Sequence, residues 1–195
     1  LLLVAAAGNN GTDNDTKPFY PASYDSPNVL SVASTTSTGA ISSFSNRGIV
    51  SVDIAAPGSS ITSTYPQAKN ASGYTTLSGT SMAAPMVTAV AALLHENRPE
   101  WGFADIKKAL LASVTPLSGL SGTVASGGLV NAYQAMILSN KVELVGLRLG
   151  KSTLRGGDPL TVEVTLDRMA AAGGVVAELS SVAGDQVSEG QRLMK

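Results

Sequence analysis

Through the first 80 positions short apolar runs alternate with clusters of Gly, Pro, Asn and Ser. Residues 1–7 are wholly apolar and stop at Gly8-Asn9-Asn10-Gly11, a turn signal, so they predict a strand covered on both faces, as in a parallel sheet. Residues 28–33 and 50–56 read as two more strands, the second ended by Pro57-Gly58. Residues 61–65 and 74–77 flank the polar stretch 66–73 and predict a strand pair. From Met82 to Leu94 the pattern becomes helical and is apolar nearly all round, which predicts a central, buried helix. A second helix is predicted over about 104–114, with Ile106, Leu110 and Val114 on one face. A third starts with Asn131 as its N-cap and carries Ala132, Ala135, Met136 and Leu138. Strands feeding helices in this order define α/β architecture.

After about residue 140 the pattern changes. Residues 160–167 alternate apolar and polar strictly, with Gly156-Gly157 before them and Gly173-Gly174 after, and 144–149 and 175–179 flank them as weaker strands. The chain therefore divides into an α/β part, residues 1–140, and an all-β segment, residues 141–195.

Composition narrows the function classes. Only 14% of the 195 residues are charged and 44% are hydrophobic, with 20 glycines, the profile of a compact, buried α/β protein. A net charge of −1 and a pI near 5.8 give no footprint for nucleic acid or an anionic membrane. No apolar run approaches the ~20 residues of a transmembrane helix. With no cysteine there is neither a disulfide framework nor a thiolate metal site. The apolar opening lacks an initiating Met and a basic leader, so it reads as a core strand and not a signal peptide. A chain that opens inside a core strand is expected to be part of a longer one.

Leu77-Ser78-Gly79-Thr80-Ser81-Met82-Ala83-Ala84-Pro85 is built around one hydroxyl. A nucleophilic serine needs exposure, a base, and donors for the oxyanion formed when it attacks a carbonyl. Gly79 frees the backbone before Ser81, and Ser81 falls at a helix N-terminus, where unpaired N–H groups and the dipole favour negative charge. Pro85 is tolerated in that first turn. A plain N-cap is the other role such a serine takes.

The string Gly79 to Pro85 resembles the nucleophile motif of subtilisin-like serine proteases. Ala5-Ala6-Ala7-Gly8-Asn9 resembles that family's strand and oxyanion-hole asparagine, and Tyr20-Pro21-Ala22-Ser23-Tyr24 its substrate-pocket segment. Phe44-Ser45-Asn46 and Ala55-Ala56-Pro57-Gly58 resemble the strands before the serine, and Gly128-Leu129-Val130-Asn131-Ala132 the entry to its closing helix. The resemblance runs from Leu1 to Leu138 in the family's order. It implies a subtilisin-like parallel-sheet domain in which Ser81 attacks the scissile peptide carbonyl. Asn9 and the Ser81 N–H then hold the oxyanion, with the Thr80 hydroxyl as a helper. Ala6, Ala7 and Gly8 would wall the primary specificity pocket. Polypeptide substrates and a secreted setting are implied as well.

No base lies within reach in this chain. The one histidine, His95, stands roughly 21 Å from Ser81 along a continuous helix at 1.5 Å per residue, whereas a general base must lie within ~3 Å. Proteases of this type run Asp, His, Ser along the chain, so both partners are expected upstream of Leu1, on a missing N-terminal half of the catalytic domain. The isolated chain is therefore expected to be inactive. Asp25, in a turn composition, and Asp53, after a strand, lack the family's context for the acid. Met86 stands where the family usually has His, outside the triad. The alternative is a catalytically inactive relative acting as a binding or scaffold module. An α/β-hydrolase is disfavoured because position 83 is Ala where the nucleophile elbow wants Gly.

The resemblance implies no required cofactor. A structural calcium bound by carbonyls near residues 22–24 is possible for the family, and its ligands leave no sequence signature. Asn10, Asn14 and Asn70 each open an N-x-S/T acceptor string. Residues 142–195 resemble, more weakly, part of an immunoglobulin-like sandwich, with a spacing, adhesion or substrate-capture role implied.

Overall fold

The structure, a computed structural model, describes residues 1–141, 144–149, 162–166, 177–178 and 192–193. The chain divides into two compact units, Leu1–Ser139 and Asn140–Lys195.

The first unit is built on a five-stranded sheet. β1 (Leu3–Ala6), β2 (Val29–Thr35) and β3 (Ile54–Pro57) run parallel, in register Leu3 to Val29 and Val32 to Ile54. β4 (Ile61–Thr64) and β5 (Tyr74–Leu77) form a separate antiparallel pair. α1 (Thr80–Asn97) and α2 (Phe103–Ala112) follow. The short strands β6 (Thr115–Pro116) and β7 (Gly128–Leu129) then complete the sheet in the order β1-β2-β3-β7-β6, with only β6 antiparallel. α3 (Ala132–Asn140) closes the unit.

Every residue of β2 is buried, so Leu30 and Val32 serve one face and Ala33 the other. On the first face they meet Ile54, the α1 residues Ala83, Val87, Val90 and Leu94, Ile106 and Leu110 of α2, and Ala135 of α3. The second face is thinner, with Ala7, Ala33, Val52, Ala55, Leu120 and Val124. Small residues let backbone pass close to backbone. A Cβ on Gly58 would stand 2.4 Å from Ser34 Oγ and 2.7 Å from the Gly79 carbonyl, and the Gly79 N–H donates to the Gly58 carbonyl at 2.8 Å. The turn after β3 thereby fixes where α1 begins.

Four sequence expectations change. β1 is covered only in part: Val4 packs on the main core and Ala5 is buried with Ala22 and Val29, but Leu3 is 41% exposed, and β1 pairs with β2 alone among the described strands. Val50 belongs to an exposed turn and not to β3, because the Asp15 carboxylate collects the N–H groups of residues 49–51. α1 begins two residues early, at Thr80, and only one face of it is covered, so Leu93 is 50% exposed. α2 stops before Val114, since Ser113 closes it and Thr115 already pairs in β6. Asn131 does cap α3, its Oδ1 accepting the Gln134 N–H at 2.9 Å.

In the second unit every described element is a strand. β8 (Leu144–Leu149) pairs antiparallel with β9 (Val162–Leu166), with an irregularity between Leu144 and Gly146, and β10 (Ala177–Glu178) pairs antiparallel with β11 (Arg192–Leu193). The flanks of the predicted strands 160–167 and 175–179 lie outside the described residues.

Candidate active site

β1 hands the chain to Ala7-Gly8-Asn9 at the end of the sheet where α1 starts. Ala7 and Gly8 are buried, Ala6 is half-buried and Asn9 is exposed. Gly8 has φ +108°, a conformation side chains rarely adopt, and an added Cβ would stand 2.4 Å from the Asn46 Nδ2. No larger residue fits there.

Seventy-one residues later Thr80 closes on the same loop. Its backbone N–H donates to Asn9 Oδ1 at 2.8 Å and its hydroxyl donates to the same oxygen at 3.0 Å. The hydroxyl also accepts the Gly8 N–H at 3.2 Å. With Oδ1 held twice, the asparagine amide has one orientation. Its Nδ2 stands 3.4 Å from where a Cβ on Gly79 would lie, beside the turn that presents Ser81. The Thr80 hydroxyl is thus committed to Gly8 and Asn9 and is not free to serve as the expected helper donor; it orients the Asn9 amide instead.

Ser81 is exposed at the second position of α1. Its N–H falls among the first four of the helix, which have no intrahelical acceptor. No acidic side chain in the first turn offsets the positive end of the dipole. Beside Ser81 lies a groove of about 340 Å³ lined by Leu77, Met82, Pro85, Met86, Ile61 and Tyr65, among others. One exposed hydroxyl, one oriented amide and one unpaired N–H therefore share a helix start and the adjoining loop. Such a set suits attack on a carbonyl and stabilisation of the resulting oxyanion.

The structure brings Ser81, Asn9 and the 6–8 segment together and leaves the other polar candidates apart. His95 is exposed in the last turn of α1, as its spacing requires. Asp53 accepts the Ser31 N–H at 2.7 Å and faces the Lys107 ammonium at 3.4 Å, a structural role, and Asp25 is exposed. The acceptor string at Asn14 is closed to modification, because Asn14 is buried and both ends of its amide are hydrogen-bonded. The grip of Thr80 on the loop escaped the sequence reading. Its only trace there was the threonine inside the nucleophile motif.

Residues 1–142 match the family model described as the subtilase family, Peptidase_S8, and the chain belongs to that family. Thermitase from Thermoactinomyces vulgaris is 47% identical over 135 residues, 69% of this chain and 44% of that protein. Subtilisin Savinase from Lederbergia lenta is 39% identical over 135 residues, 69% of this chain and 46% of that protein. Among solved structures, the A-subunit of the AB5 toxin from E. coli superposes with a TM-score of 0.62 at 31% identity, covering 71% of this chain and 50% of that one. The chain thus spans about half the length of these relatives.

Proposed function

We propose that this chain is the nucleophile-bearing part of a serine endopeptidase. The observation that carries the reading is the pair of hydrogen bonds that the Thr80 N–H and hydroxyl donate to Asn9 Oδ1, with the Asn9 amide beside the helix start that bears Ser81. Ser81 Oγ attacks the peptide carbonyl while a histidine takes its proton. The oxyanion sits between the Asn9 Nδ2 and the Ser81 N–H. Collapse expels the amine, protonated by the same histidine, and water then releases the acyl group by the reverse sequence. The substrate backbone lies along residues 6–8, which wall the primary pocket. The histidine and its aspartate are supplied by chain preceding Leu1.

Polypeptides are the substrates and the setting is extracellular. Among the described residues no helix is long and apolar enough to cross a membrane. The reaction as written uses no cofactor. A structural calcium would be held by backbone carbonyls near residues 22–24, beside a cavity of about 330 Å³, and would take no part in that reaction. Residues 141–195 form a separate β domain of immunoglobulin-like type that spaces the protease or captures substrate.

Two measurements test the reading. A fluorophosphonate probe labels Ser81 in the complete catalytic domain and fails to label the chain alone, where no base reaches the hydroxyl. Ser81→Ala abolishes hydrolysis of a peptide anilide by the complete domain. Undiminished hydrolysis by that variant overturns Ser81 as the nucleophile, whereas no labelling and no hydrolysis by the complete domain replaces the protease with a binding module.

A further inference from the structure

Thr80 holds the side chain of Asn9, and a different residue holds the backbone on either side of it. Asn46 is 1% exposed. Its N–H donates to the Gly8 carbonyl at 2.9 Å, and its side-chain Oδ1 accepts the N–H groups of Asn10 at 2.8 Å and Thr12 at 3.2 Å. The peptides immediately before and after Asn9 are therefore fixed by one residue. Two N–H donors on Oδ1 force the Asn46 Nδ2 the other way, where it donates to Asn14 Oδ1 at 2.9 Å. Asn14 is also 1% exposed, and its own Nδ2 donates to the Ala7 carbonyl at 2.9 Å. The chain of amides thus ends on the strand extension that walls the primary pocket. Backbone bonds extend the seam: Gly11 N–H to Phe44 carbonyl at 2.8 Å, Arg47 N–H to Thr12 carbonyl at 3.0 Å, and Asn14 N–H to Arg47 carbonyl at 2.7 Å.

We infer that Asn46, backed by Asn14, is a positioning residue for the oxyanion donor Asn9. It touches neither substrate nor Ser81 and acts only through the loop. Two buried primary amides persist in a core only when their polar atoms are paired, and here the pairing runs from the loop that carries Asn9 to the strand that lines the pocket. A donor aimed at a transition-state charge contributes only when its position is set before the reaction. Asn46 with Thr80 leaves Asn9 no freedom at either its backbone or its side chain. This inference rests on the protease reading above.

The test is a double-mutant cycle in the complete catalytic domain, with kcat and KM read on a peptide anilide. Asn46→Ala lowers kcat on the order of 10–100-fold, the scale of a small misplacement of a reacting group, with KM little changed. In an Asn9→Ala background the same substitution costs less than about 2-fold further, within the tolerance of independent sites. An equal loss of kcat in both backgrounds, or no loss in either, overturns the inference. Asn14→Ala leaves the Asn46 bonds to Gly8, Asn10 and Thr12 in place and removes only the amide that backs them, so it keeps the test alive where Asn46→Ala does not fold. It is expected to lose less kcat than Asn46→Ala, again only when Asn9 is present. Full activity of Asn9→Ala and Ser81→Ala themselves sinks the assignment of donor and nucleophile on which the inference rests, so the two failures are told apart.

Discussion

At the scale of single residues the site depends on how few atoms are left without a partner. Asn9 accepts two hydrogen bonds on its oxygen and presents its amide, so under the proposed mechanism Asn9→Ala removes a donor that matters in the transition state more than in the bound substrate. The expected outcome in the complete domain is a fall in kcat of about 10²–10³-fold, a size taken over from the subtilisin in which such a donor was removed, with little change in KM. A large rise in KM at unchanged kcat speaks against the donor role. Asp15 offers a second measurement. Burial pushes its carboxyl up, but the Ser51 hydroxyl and the N–H groups of Ser51, Val50 and Ile49 together outweigh that and hold it below its ordinary value. A carboxyl lowered in the folded state stabilises the fold above its unfolded value of about 3.9, and that contribution is lost as pH falls through the folded value. Amide exchange at residues 49–51, corrected for its intrinsic rate, is expected to quicken below about pH 4, and Asp15→Asn removes that pH dependence. The role of Asp15 was not legible in the sequence, where it stands in a polar run with no periodicity. Ser81 and Asn9 were legible, because Gly-Thr-Ser before a helix and Gly-Asn after an apolar strand are local patterns.

The elements follow their local patterns except where the tertiary setting outweighs them. β4 and β5 flank a polar stretch and α3 follows its Asn131 cap, as the sequence predicts, whereas β2 is buried along its whole length although Ser31, Ser34 and Thr35 interrupt its apolar positions. Uniform apolarity was a weaker guide for α1. It predicted cover all round, but only the stripe Ala83, Val87, Val90 and Leu94 faces the sheet and α2, while Leu93 stands half exposed. Periodicity locates a buried face only when the opposite face is polar, and residues 82–94 give no such contrast. The two adjacent leucines turn this into a measurement on the chain described. Leu94→Ala leaves a cavity in the main core and is expected to cost about 2–5 kcal/mol, read as a lower urea midpoint at unchanged slope. Leu93→Ala is expected to stay within about 1 kcal/mol, since a half-exposed side chain loses little burial. Equal losses at the two positions contradict the one-sided packing.

For the whole molecule, the change from helical to alternating patterning near residue 140 and the division after Ser139 fall at the same place in the chain. The first cuts in a timed limited digest read by mass spectrometry are expected between residues 139 and 157. Residues 82–94 should survive in the fragments, because their backbone is hydrogen-bonded within α1 and one face of the helix is buried against the sheet. Early cuts within α1, with the 139–157 stretch intact, contradict both the division and the helix packing. Folding all of the first unit brings together segments far apart in sequence, and the fastening of Asn9 by Thr80 gives that separation a duration. Ribosomes add about 5–20 residues per second, so Asn9 emerges about 4–14 s before the threonine that orients it. Asn46 reaches the same loop in roughly half that time. Domains fold as units, so the order of emergence sets only when each partner is available: a growing chain that has not yet made Thr80 lacks the residue that aims the Asn9 amide, and under the proposed mechanism that residue emerges one position before the nucleophile.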